Sequence, residues 1–231
     1  AEKRDVTITP ILETPWISTV MVQVHWALPV RFDDATQKRS EEEDWVTVDH
    51  YLTLRSGSKT VEIETWMNNT CEDHRLRLCV PTGLTQKKVW AGGAFDVLAR
   101  LTEWPHDADW EQPQVPTQHF SQFVAMQDRL GGIAVLAPGS NEYETAPTDG
   151  AEGTDIRITM LRATGWLSRD GFASRRNRAG PCYPAPGAQC KGQTSMRWGL
   201  LPFEGRWPEA GVHEAAAAFA AQVSLLPGLP K

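Results

Sequence analysis

The residues best able to do chemistry are spread along this chain rather than gathered. Six histidines, His25, His50, His74, His106, His119 and His213, stand far apart. None begins a His-x-Asp or His-Glu-x-x-His segment, and no Cys-x-x-Cys occurs. Short spacings of that kind bring ligands onto one side of a tetrahedral zinc ion. His106, Asp107 and Asp109 are neighbours, but they lie beside Pro105 in a loop, where simple solvation is the plainer expectation. Glu62, Glu64, Asp73, Asp96 and Glu103 are carboxylates of the type that hydrolyse glycosides in pairs, yet nothing in their spacing separates an acid from a nucleophile. There is no Gly-x-Ser-x-Gly elbow, phosphate loop or dinucleotide fingerprint. By its residues alone, the chain is expected to hold no metal and to be no self-sufficient catalyst.

Charge narrows the partners. The 23 Lys and Arg against 29 Asp and Glu leave a net charge of -6, which argues against a nucleic-acid surface. One stretch runs against that balance: Ser168–Gln193 carries Arg169, Arg175, Arg176, Arg178 and Lys191 against Asp170 alone. It reads either as a docking loop for an anionic surface or as a solvated charge run. No apolar run approaches the roughly 20 residues of a membrane span, so no membrane contact is expected. Cys71, Cys79, Cys182 and Cys190 are too few for a disulfide scaffold and read as reduced, with a Cys182–Cys190 bridge the alternative. Of the ten tryptophans, Trp66, Trp90, Trp166 and Trp198 fall in or beside strand patterns and are expected in the core. Trp104, Trp110 and Trp207 neighbour prolines and are expected at the surface.

The elements that must position these residues are strands. Period-two alternation marks Thr19–Trp26, Val46–Leu54, Val61–Met67, Arg75–Val80, Lys87–Ala91, Phe95–Leu101, Phe120–Met126, Ile133–Leu136, Ile156–Leu161 and Thr194–Leu201. About ten strands with no helical periodicity between them predict an all-β antiparallel sandwich formed as a single domain over 1–231. Trp104–Gln118, Pro138–Thr154 and Ser168–Gln193 read as long loops. A helix is expected over Glu209–Val223, with Pro208 in its first turn and Pro227 and Pro230 beyond its end. Alternation also suggests a hairpin in which Glu64 faces Arg75 and Glu62 faces Arg77, with Ile63 beside Leu76 and Val61 beside Leu78.

Several motifs in order carry a resemblance. They are Asn69 with Asp73-His74-Arg75-Leu76-Arg77, then Pro81-Thr82-Gly83, and Phe95-Asp96-Val97 with Arg100. Pro116-Thr117 with Phe120, Gly132–Leu136 with Tyr143-Glu144, and Ile158–Arg169 follow. Ala179-Gly180-Pro181 and Gln189-Cys190 with Gly192 complete the series. In this order they resemble the C-terminal β-domain of the family 38 glycoside hydrolases, the zinc-dependent α-mannosidases. The resemblance implies a supersandwich of the galactose-mutarotase type, excised from a longer multidomain enzyme. It implies a retaining α-mannosidase whose zinc and aspartate nucleophile sit in a separate N-terminal catalytic domain, of which this chain has neither the His-x-Asp nor the nucleophile segment.

The implied partners are therefore that catalytic domain of the same polypeptide and a mannoside substrate. Zinc would be a cofactor of the full-length enzyme, and the cytoplasm of a bacterial-type cell its expected compartment. Among site residues, Arg100 matches a family arginine that points into the catalytic cleft near the acid/base carboxylate, unless it pairs with Asp96 or Glu103. Arg162, Arg169, Asp73, His74 and Arg75 match positions expected to brace loops or contact the other domain. The alternative reading is an independent carbohydrate-binding sandwich, for which the tryptophans speak. Oligomeric state does not follow from any of these residues.

Overall fold

The computed structural model describes residues 2–103, 114–170 and 180–221. Two antiparallel sheets dominate. The larger contains β1 (Glu2–Glu13), β2 (Ile17–Pro29), β5 (Glu43–Arg55), β6 (Val61–Asn69), β8 (Lys88–Gly92), β9 (Val97–Leu101), β11 (Phe123–Gln127), β12 (Gly131–Leu136) and β17 (Gly192–Glu204). Their spatial order is β1-β2-β5-β6-β17-β12-β11-β8-β9. The smaller contains β7 (Arg75–Pro81), β10 (Thr117–His119), β13 (Glu142–Pro147) and β14 (Thr154–Arg162), in the order β10-β13-β14-β7. Two further two-stranded sheets are found among the described residues: β3 (Phe32–Asp33) with β4 (Lys38–Arg39), and β15 (Trp166–Ser168) with β16 (Tyr183–Pro184).

The sheets face each other across one apolar layer. Ile63, Val89, Val124, Met126, Val135 and Trp198 of the large sheet meet Leu78, Val80, Tyr143, Ile156 and Ile158 of the small one. This is the sandwich that alternation predicts: every second side chain points inward, and each inward row is apolar. β11 is buried on both faces. Val124 and Met126 enter the inter-sheet core, while Phe123 and Ala125 pack outward beneath α1 (Val212–Ala220), with Val212, Ala216 and Phe219. The helix lies within the expected span. Arg197 fixes its last turn, donating to the Phe219 carbonyl at 2.7 Å with its guanidinium 4.0 Å from the ring centroid. Gly199 lies beneath that ring, where a Cβ would come within 3.2 Å of it.

Four expectations need correcting. β6 and β7 do not form a hairpin: β6 pairs with β5 and β17, β7 with β14, so Glu64 and Arg75 stand in different sheets. The turn between them carries the chain across the sandwich, with Asp73 in the left-handed region at φ 54. Their apolar stripes meet as opposing layers instead of side by side. Pro138–Thr154 is not a continuous loop, because β13 lies inside it; its Tyr143 and Thr145 point inward while Glu142 and Glu144 take charged partners on the outer face. The long basic stretch likewise contains β16 and the 3-10 turn Pro186–Gln189. Finally, Trp198 is buried but Trp66 and Trp166 are exposed, and Trp207 is half-buried against Phe123, 6.0 Å between ring centroids. Trp66 alternates with the inward Thr65 and Met67, so the pleat turns it to solvent.

Cys71, Cys79 and Cys190 are free, and the Cys182 thiol lies 3.9 Å from Asp170 Oδ2. No helix among the described residues is long and apolar enough to cross a membrane. Trp104, Trp110, His106, Asp107, Asp109, Arg175, Arg176 and Arg178 lie outside the described residues.

Candidate functional site

The turn from β6 into β7 organises one end of the sandwich. Its backbone leaves the large sheet at Asn69, whose buried side chain donates to the carbonyls of Gln189 (3.0 Å) and Cys190 (3.2 Å). Gln189, itself buried, closes a two-point contact with Asp73. The Asp73 N–H donates to Gln189 Oε1 at 2.9 Å, and Gln189 Nε2 donates to Asp73 Oδ1 at 2.8 Å. The second carboxylate oxygen accepts from the Phe32 N–H at 3.3 Å. Arg39 completes the clamp by donating to the carbonyls of Pro29, Glu72 (3.1 Å) and Asp73 (2.8 Å). A non-glycine residue held at positive φ needs such over-determination. Gly165 passes close by, and a Cβ there would stand 3.0 Å from Gln189 Nε2.

Asp73 and Arg169 meet at a cavity of about 570 Å3, lined also by Phe32, Asp34, Trp166 and Gln189. Arg169 pairs with Asp34 and so ties β15 to the β3–β4 hairpin. Lys191 pairs with Glu72 at 2.7 Å on the same rim. Trp166 presents an indole face between this cavity and a second of about 480 Å3.

Arg75 and Arg162 come together elsewhere, on the outer face of the small sheet. Arg75 reaches Glu142 and Glu144, both at 3.3 Å, and Arg162 reaches Glu142 at 3.9 Å. Arg77 joins at 2.5 Å from Glu144, while Arg157 grips Asp155 at 3.0 Å. Glu144 and Asp155 are buried beneath these guanidinium groups, and the shared partners make this a network, not a set of isolated pairs.

His74 points the other way, into a groove between the sheets. Both ring nitrogens are buried and meet no side-chain partner among the described residues, with the Glu72 backbone beside them. Burial pushes its pKa below the ordinary histidine value, as it does for His50 in the same groove.

Arg100 occupies the opposite edge. It crosses from β9 to donate to the His119 carbonyl on β10, and its guanidinium lies 5.9 Å from the centroid of the Tyr143 ring. Those contacts replace the anticipated Asp96 or Glu103 pairing. Burial raises the pKa of Tyr143 despite the Arg100 guanidinium beside its hydroxyl. The six sequence-derived residues thus divide among four places: Asp73 with Arg169, Arg75 with Arg162, His74 alone, and Arg100 alone.

Arg39, Asn69 and Gln189 are central to the turn but were not among the expected site residues. Asn69 and Gln189 lay within motifs already noted. Nothing around Arg39 distinguishes it from other surface arginines. No three His, Cys, Asp or Glu side chains among the described residues are grouped to hold a metal ion, so the residues described do not fit a resident zinc.

Residues 6–171 match the family model described as the glycosyl hydrolases family 38 C-terminal domain. The chain belongs to glycosyl hydrolase family 38. It is 27% identical over 183 residues to a Halalkalibacterium halodurans protein named "Putative mannosylglycerate hydrolase", covering 79% of this chain and 18% of that one. Two solved structures resemble this family 38 domain over 94% of its length. One is an alpha-mannosidase from Enterococcus faecalis V583 (TM-score 0.78, 26% identity), of which the chain covers 24%. The other is a family 38 glycosyl hydrolase from Enterococcus faecalis (TM-score 0.75, 25% identity), of which it covers 25%. The chain therefore spans a quarter or less of each of these family 38 relatives.

Proposed function

We propose that this chain is the C-terminal accessory part of a retaining, zinc-dependent α-mannosidase, packing on a catalytic domain of the same polypeptide and closing one side of its cleft. The observation that carries the reading is the C-terminal-domain match across residues 6–171. Zinc and the aspartate nucleophile would belong to the remainder of the longer polypeptide. The free thiols of Cys71, Cys79 and Cys190 are compatible with a reducing compartment such as the bacterial cytoplasm.

In this reading Arg100 is a positioning residue. One arm is anchored on the His119 carbonyl and the side chain is only half-buried, so the cation can hold a neighbouring acid/base carboxyl at lowered pKa. The test compares the isolated chain with the longer polypeptide on an aryl α-mannoside. The isolated chain should release no phenol while the longer one turns over. Arg100→Ala in the longer polypeptide should lower kcat by ~10-fold or more and move the pKa of the acid/base group upward in the pH profile. Hydrolysis by the isolated chain would overturn the reading.

A second reading, an independent sugar-binding module, draws on the exposed Trp166 face between two cavities lined with polar groups. Calorimetric titration with mannose and mannobiose separates the two. Binding by the isolated chain that disappears in Trp166→Ala would favour the module.

A further inference from the structure

The large sheet is wider than the sheet that covers it. A single inward-facing row crosses four of its strands: Thr65 on β6 stands beside His50 on β5, Val22 on β2 and Ile8 on β1. Along that row Thr65 is fully buried, His50 and Val22 are half-buried, and Ile8 is 66% exposed. The next row repeats the trend, from the buried Met67 and Val48 to the half-buried Val24 and Val6. The face stays apolar where its cover ends. Among the described residues cover ends at β7, which is the last strand of the small sheet and pairs with β14.

Between that edge and the uncovered strands lies a groove of about 900 Å3, lined by Val22, Val24, Val48, Leu52, His74 and Leu76, among others. Among the described residues no strand pairs with the outward edge of β7. The Thr82 N–H donates to the Thr154 carbonyl, so by alternation the N–H groups of Val80 and Leu78 face β14 and those of Arg77 and Cys79 face outward. His74, with both ring nitrogens buried and no side-chain partner among the described residues, lies at the same groove.

We propose that an extended segment from the part of the longer polypeptide outside this chain pairs with β7 as a fifth strand of the small sheet. Its alternate apolar side chains fill the groove over β5, β2 and β1, and one of its polar groups meets the His74 ring. The inference rests on the proposed reading of the chain as part of a longer enzyme. Relatives about four times its length provide ample chain for the role, since it covers only 18% to 25% of them. Antiparallel self-pairing of β7 sets arginine against arginine when centred on Leu76 or on Arg77 but not when centred on Leu78, so a second copy is one of the outcomes the test separates.

Hydrogen exchange on the isolated chain and on the longer polypeptide tests this. The Arg77 and Cys79 amides should exchange quickly in the isolated chain and at least ~10-fold more slowly in the longer one. Cys79→Pro removes an outward N–H without touching the β14 ladder, so the isolated variant should melt within a few degrees of its parent. In the longer polypeptide the same change should abolish the protection of Arg77. Arg77 and Cys79 unprotected in an active longer polypeptide would overturn the docking while sparing the enzymatic reading. Protection of both in a polypeptide without mannosidase activity would overturn that reading while sparing the docking. An isolated chain that is dimeric by light scattering, with β7 protected, would replace the proposed occupant by a second copy.

Discussion

The two lateral edges of the sandwich are finished differently. At the β9–β10 edge, Arg100 spans the gap to the His119 carbonyl and lies over Tyr143, whose ring meets Phe120 edge-on at 5.8 Å. At the β7 edge no strand among the described residues continues the small sheet, and Val22, Val24 and Ile8 carry an apolar face beyond it. One edge has its core sealed by aromatic packing and a cation on a carbonyl. The other has the composition of a core without the second layer. The difference teaches that inward alternation in a strand reports what the strand is built to face, whether or not this chain supplies it.

The largest expected effect contrasts the two edges directly. Tyr143→Ala, at a fully buried ring, should lower unfolding stability by about 3–5 kcal/mol, whereas Val22→Ala on the half-buried face should cost about 1 kcal/mol in the isolated chain. Urea titrations of both variants give the comparison. Equal losses would mean that the open edge is already packed. In a longer polypeptide whose added strand covers β2, the Val22 cost should rise toward the fully buried range.

An intermediate effect concerns the turn that enters β7. Gln189→Ala strips Asp73 of one of the two donors on its carboxylate and of the acceptor for its N–H. A loss of about 1–3 kcal/mol is expected, with faster exchange at the Asp73 amide. Gln189→Glu, which keeps the acceptor but sets a carboxylate against the Asp73 carboxylate, should recover little of it. Full recovery would mean that only the acceptor matters.

The smallest effect is with pH. His50 and His74 are both held below the ordinary value of 6.5, chiefly by burial at the open edge. The unfolded chain therefore takes up protons near pH 6.5 while the folded chain does so only at lower pH, so more protons are bound unfolded. Stability from these groups is present above pH 6.5 and is lost as pH falls through their folded pKa values. His74→Leu should flatten the decline measured by thermal melts between pH 7 and 5. An unchanged slope would show that the His74 ring is solvated.

Legibility followed the range of the interactions. β2, β5, β6, β7, β12, β14 and β17 were readable because alternation is local: each inward side chain is two residues from the next. β13 was not, because Glu142 and Glu144 make its stretch look like a polar loop, and only Arg75, Arg77 and Arg162 on other strands explain them. The β6–β7 hairpin misled for the same reason. Two amphipathic strands joined by a short turn are compatible with pairing side by side or with facing across a core. The Asp73-His74-Arg75 run was visible as a motif, yet its three side chains go to a cavity, a groove and an outer face.

The sequence by itself determined that the chain is built of antiparallel strands with one short helix near its C-terminus, and its ordered motifs pointed to family 38. Those properties reside in residue type and period. The tertiary structure alone decided which strands are neighbours and which edge is left open, and it gave Arg100 a carbonyl and an aromatic ring in place of a carboxylate. Each of these depends on groups tens of residues apart in the chain. Local pattern carries no information about which of several equally apolar rows will be brought face to face.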